Sequence, residues 1–151
     1  MAVGIVLAVC LLGPACSDPL ETTVTDKAFD LSADWVTITP KDPIVARRNE
    51  RELQIVLPKD VEAPTEDGTR VLITGGIRAT IDAKLIDRSG KAWLLDWKKA
   101  WAGYARQGTL LRIPAEGLQT GDIITAVQLR SSSPLRCLGV EWECAWGSMT
   151  K

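Results

Sequence analysis

Trp97, Trp101 and Tyr104 stand four and three residues apart within residues 93–106, with Lys98, Lys99 and Arg106 beside them. Rings held at a surface can cover the apolar face of a sugar, while neighbouring polar side chains bond its hydroxyls. At helical spacing Trp93, Leu94, Trp97, Trp101 and Tyr104 fall in one stripe. At strand spacing Trp93, Trp97 and Trp101 also share a face, because four is an even step. The same residues packed under a loop, as core, are the competing reading. The turn ahead of them predicts a strand as far as Asp96, then a loop or short helix carrying Trp97, Trp101 and Tyr104. Loops in such positions are surface-borne. Trp97, Trp101, Tyr104 and Arg106 are therefore the candidate ligand-binding residues.

Other chemistry is scarcer. The chain has no histidine, which excludes Ser-His-Asp and Cys-His nucleophiles and any His-ligated metal. Carboxylates are scattered at Asp82, Asp87, Asp96, Glu141 and Glu143. On a strand Glu141 and Glu143 lie about 6.6 Å apart, within the range of a glycosidase pair. Alternation puts such pairs on every solvated strand face, so no catalytic residue is assigned. Val71-Leu72-Ile73-Thr74-Gly75-Gly76 has the outline of a strand running into a pyrophosphate-binding turn. Ala79 and Ile81 stand where that turn needs further glycines, so it reads as a strand ending in a Gly-Gly turn, and no cofactor is expected. Arg47, Arg48 and Arg51 are interrupted by Glu50 and Glu52 and read as a solvated, self-paired face. With 18 basic and 19 acidic residues the net charge is −1, which lacks the cationic excess that nucleic acid demands.

The elements that must position the aromatic group are short. Runs at residues 35–39, 52–57, 70–74, 79–87, 91–96, 109–113, 123–130 and 138–146 alternate apolar and polar side chains between turn residues. Asp87-Arg88-Ser89-Gly90 is a hairpin signal. In the run at 123–130, Ile123, Thr125, Val127 and Leu129 share a face. About eight such strands predict a mainly β fold, an antiparallel β-sandwich or jelly roll with at most one short helix. The folded domain is expected over residues 34–147. Residues 17–33 are polar, lack periodicity and read as a tether. Six Trp against one Phe and one Tyr is a lopsided set for a core, since each buried indole needs a partner for its N–H.

Val3 through Leu12 form an apolar run too short to span a bilayer, followed by Gly13-Pro14-Ala15-Cys16. This segment resembles a bacterial lipoprotein signal, in which a small residue precedes the cysteine that is lipidated and becomes the new N-terminus. The resemblance covers residues 1–16 and implies export, lipidation at Cys16, a membrane anchor and a place in the cell envelope facing the periplasm or the exterior. Plain secretion with cleavage near Ala15 is the alternative. Cys137 and Cys144 are then an even pair where a disulfide is permitted. Seven strand steps separate them by roughly 23 Å, so they bond only if the chain doubles back at Gly139.

The strand pattern is broadly similar to that of β-sandwich carbohydrate-binding modules. That similarity implies a non-catalytic binding domain with an envelope or extracellular carbohydrate as ligand. The competing expectation is a structural or assembly lipoprotein that meets another envelope protein.

Overall fold

The computed structural model describes residues 21–47, 51–105 and 108–144. In chain order the strands are β1 (Glu21–Thr25), β2 (Phe29–Leu31), β3 (Val36–Ile38), β4 (Ile44–Val45), β5 (Arg51–Leu57), β6 (Thr65–Glu66), β7 (Thr69–Arg70) and β8 (Leu72–Thr74). They continue as β9 (Ile77–Ala79), β10 (Ile81–Asp87), β11 (Ala92–Leu94), β12 (Trp101–Ala105), β13 (Gly108–Pro114), β14 (Ile123–Ser131), β15 (Leu135–Cys137) and β16 (Gly139–Cys144). A 3-10 turn, Trp97–Lys99, lies between β11 and β12.

Two antiparallel sheets carry the architecture. One is five-stranded, in the order β1-β16-β5-β13-β12; the other runs β11-β10-β14-β3, with β4 also pairing to β14. Three two-stranded ribbons, β2 with β15, β6 with β7 and β8 with β9, complete the paired strands. The fold is mainly β and sandwich-like, as the alternating pattern predicts.

The alternation explains the core. On β5, Leu53, Ile55 and Leu57 are fully buried; on β13, Leu111 and Ile113; on β16, Val140 and Trp142. The other sheet supplies Ile81, Ala83 and Leu85 from β10 and Ile124, Val127 and Leu129 from β14, all in one cluster with the first set. Each such Val, Leu or Ile side chain contributes about 1.5–3 kcal/mol when fully buried. The Asp87 hairpin forms as expected. Asp87 Oδ1 accepts from the Ser89 and Lys91 N–H groups, both at 2.9 Å, and from the Ser89 hydroxyl at 2.6 Å. That hydroxyl, more than any other contact, holds the Asp87 carboxyl below its ordinary range. The Gly75-Gly76 turn joins β8 to β9, both glycines at positive φ (54° and 76°).

Four expectations need correction. The tether over residues 17–33 is structured from residue 21 onward: β1 pairs with β16 and β2 with β15, and each strand buries one apolar residue, Val24 and Leu31. The face assigned to Ile123, Thr125, Val127 and Leu129 is broken. Asp87 pairs with Ile124 while Ile86 pairs with Ala126, leaving Thr125 as an extra, bulged residue. Ile124 therefore takes the core position and Ile123 is half-buried, because a bulge shifts parity by one. The Arg47, Arg48 and Arg51 face is not uniformly solvated. Arg51 is buried and donates from Nη1 to the Leu118 carbonyl (2.7 Å) and from Nη2 to the Thr120 hydroxyl (3.2 Å); Arg48 lies outside the described residues.

The fourth concerns the disulfide. Cys137 is a free, buried thiol, donating to the Gly139 carbonyl at 3.3 Å. The chain does not double back at Gly139. It leaves β15 and runs straight into β16, where Cys144 pairs with Arg51 while Cys137 pairs with Phe29. Burial pushes the Cys137 thiol up to about 12, so it stays protonated and inert at neutral pH.

Candidate functional site

The segment expected to be a loop divides into two structures. Trp97 opens the 3-10 turn behind Asp96, whose carboxylate accepts the Lys98 N–H at 3.0 Å. The indole of Trp97 packs half-buried against the core, and its Nε1 donates to the Arg70 carbonyl on β7 at 2.8 Å. It is a wedge that locks the turn to β7. Trp101 instead begins an edge strand, β12, and is 41% exposed. Tyr104 lies in the same strand with its backbone opposite Thr109. Arg106 falls outside the described residues. Of the described candidates, Trp97 thus lies in a turn, and Trp101 and Tyr104 in a strand. Trp97 and Trp101 are tied to different neighbours, the Arg70 carbonyl and the Glu52 carboxylate.

The surroundings of Trp101 come from the register of three strands. Trp101 on β12 pairs with Arg112 on β13, which pairs with Gln54 on β5, which pairs with Glu141 on β16. Leu53, Ile55 and Leu111 fill the core face of those strands, so this row occupies the outward face of the sheet. The Arg112 guanidinium lies 4.5 Å from the centre of the Trp101 ring. Such stacking contributes about 0.5–1 kcal/mol at an exposed site. Glu52, one step outward-facing on β5, is buried, and its Oε1 accepts the Trp101 Nε1–H at 3.0 Å. Its Oε2 lies 3.6 Å from Arg112 Nη1. A carboxylate, a guanidinium and an indole therefore fix one another.

The arrangement has a chemical consequence. The guanidinium covers one face of the ring, and the N–H is engaged by Glu52, so the remaining exposure of Trp101 is apolar ring. The ring is held by two partners rooted in paired strands, and its orientation is set before any ligand arrives. Beside β12 runs a groove of about 440 Å³ whose lining includes Lys59, Val61, Glu62, Arg70 and Ala102. Among the described lining residues Glu62 is the one carboxylate. Among the described residues no group of three His, Cys, Asp or Glu could hold a metal ion, and no helix is long and apolar enough to cross a membrane.

Sequence reasoning picked out Trp101 and missed Glu52 and Arg112. In the sequence Glu52 stands as an acidic interruption among Arg47, Arg48 and Arg51, and nothing local marks Arg112. The available signal was parity: in Arg51–Leu57 the residues Glu52 and Gln54 alternate with Leu53 and Ile55 and so share a face. Which strand lies beside that face depends on register, which the sequence does not spell out.

Fold and site together define a β-sandwich-like protein with a fixed aromatic surface on its five-stranded sheet. No protein-family model, curated protein or solved structure matches the chain.

Proposed function

We propose that this protein is a non-catalytic binding domain whose ligand is an envelope or extracellular carbohydrate, received on the exposed face of Trp101. The observation that carries this reading is the indole itself: 41% exposed, yet hydrogen-bonded to a buried carboxylate and stacked on a guanidinium. A ring that served only to fill space would not need that scaffolding on the outward face of a sheet. Stacking one sugar face is worth on the order of 1–2 kcal/mol, judged by aromatic pairs. A single ring alone therefore gives affinity of about tens to hundreds of millimolar, so binding depends on polar contacts beside the ring and on repeated sites along a polysaccharide or a crowded surface.

Affinity electrophoresis in gels containing envelope polysaccharide tests this. Trp101→Ala is expected to weaken retardation about tenfold, the equivalent of ~1.4 kcal/mol, while Trp101→Tyr keeps a ring and most of the binding. Equal retardation of wild type and Trp101→Ala, with folding intact, would remove the platform from the account.

The proposal includes export and lipid attachment at Cys16, supported by Ala15 before it and the apolar run ahead of both. Cys16→Ser should move the protein from the membrane fraction to the soluble one. A wild-type protein that is already soluble and begins at another residue contradicts the anchor.

One observation favours the assembly reading as an alternative. β12 is the outermost strand of its sheet, and its sequence, Trp-Ala-Gly-Tyr-Ala, carries no charge or proline to discourage strand addition. An envelope protein pairing along that edge would be disrupted by Ala102→Pro, which leaves the Trp101 ring in place.

A further inference from the structure

The outward face of the other main sheet holds a second aromatic group that the Trp101 platform does not use. Trp35, just ahead of β3, has the Lys84 ammonium 4.0 Å and the Arg130 guanidinium 4.5 Å from its ring centre. Arg130 on β14 pairs in register with Asp82 on β10. Its Nε donates to Asp82 Oδ2 at 2.8 Å. Next to this pair the face opens into a recess of about 240 Å³, lined by Ala33, Thr80, Asp82, Arg130, Ser131 and Ser132.

The recess is built on tied backbone. The Thr80 N–H donates to the Ser132 hydroxyl (2.9 Å), the Ser132 N–H to the Thr80 carbonyl (3.0 Å) and the Ser131 N–H to the Ser32 carbonyl (2.8 Å). An exposed ion pair alone would be worth little. Here the guanidinium is also held by the Trp35 ring, so its position is fixed. One bond, from Nε to Oδ2, joins the pair. The two terminal nitrogens of Arg130 and Oδ1 of Asp82 make no further hydrogen bond among the described residues. A fixed donor thus stands beside a fixed acceptor, at the wall of a recess with hydroxyls at its other side.

That is the complement of a vicinal diol, in which one hydroxyl donates to the carboxylate and its neighbour accepts from the guanidinium. The volume is about eight waters' share of liquid, the scale of one sugar ring. We propose that this recess is a second carbohydrate subsite, which takes the vicinal diol of a single hexopyranose residue between Asp82 and Arg130. The inference rests on the reading of the domain as a carbohydrate binder, but on different residues and a different sheet. Two sites on separate sheets would let one domain hold two segments of polysaccharide, which multiplies weak contacts.

The test uses nitrogen-15 NMR of the protein with methyl β-glucoside, methyl β-galactoside and methyl α-mannoside as probes. At least one is expected to shift the Arg130 Nε–H and the Thr80 and Ser132 amides saturably, with a dissociation constant near the millimolar scale. Asp82→Asn, which keeps the shape and removes the charged acceptor, should weaken that binding at least tenfold, and Trp101→Ala should leave it unchanged. Shifts at the Trp101 indole alone would overturn this proposal and leave the platform standing. Shifts at the recess alone would do the reverse, and no shift at either would overturn both. Recess shifts that survive Asp82→Asn undiminished would also overturn it, since the diol would not be bound by the pair.

Discussion

Trp142→Ala is expected to lower the stability of the domain by about 3–5 kcal/mol, the usual cost of truncating a large aromatic core residue. Trp142 is 2% exposed and stands on β16, between β1 and β5, with Leu53 as its cross-strand partner. Removing it opens a cavity against Leu53 and its neighbours at the centre of the five-stranded sheet. Trp142→Phe is expected to cost far less. The indole N–H is buried and finds no hydrogen-bond partner among the described residues, so the smaller ring loses volume but leaves no polar group stranded. Urea denaturation of the three proteins measures the difference, read as midpoints at constant slope. Equal midpoints for wild type and Trp142→Ala would mean that the residue is not core.

Gly108→Ala comes next, at the upper end of the about 1–3 kcal/mol range for forcing extra volume into packed structure. Gly108 opens β13, pairs with Ala105 on β12 and is buried. A Cβ added there would collide with the Leu57 carbonyl oxygen and press on its carbon. Both are backbone atoms of β5, so no side chain can swing aside. The strain falls at the Thr109–Leu57 end of the β13–β5 ladder, which holds Arg112, the cross-strand partner of Trp101, in register with Gln54. Gly103→Ala is the control on the same hairpin, because nothing lies within 4 Å of its added Cβ. It should stay within about 0.5 kcal/mol of wild type. Thermal unfolding of both variants, followed by far-ultraviolet dichroism, separates steric strain from a general intolerance of alanine in this hairpin.

The strands that were legible in the sequence are those with strict alternation and strong turn chemistry. β10 shows both, with Ile81, Ala83 and Leu85 inward and the Asp87 turn closing it. The strands that escaped notice are short and carry little apolar weight. β1 reads Glu-Thr-Thr-Val-Thr and buries Val24; β2 buries Leu31. Each is recruited by pairing with the distant β16 or β15, a long-range contact with no local signature. The parity of β14 failed at Thr125 because a bulge leaves no mark in composition. At the site, the aromatic cluster was legible but its division was not. Trp97 is claimed by the Arg70 carbonyl, a backbone group that any residue type would present. Trp101 is claimed by Glu52 and Arg112, which only the β12-β13-β5 register brings to it.

The most direct measurement of the central claim is saturation-transfer NMR between the protein and a soluble envelope oligosaccharide. Irradiating the aromatic protons passes magnetisation to whatever lies on an exposed ring. If the sugar stacks on Trp101, the carbon-bound protons of one face of a pyranose ring receive most of the transfer, and Trp101→Ala abolishes that pattern while the protein stays folded. Transfer spread evenly over both faces, or a one-sided pattern that persists in Trp101→Ala, would contradict the account.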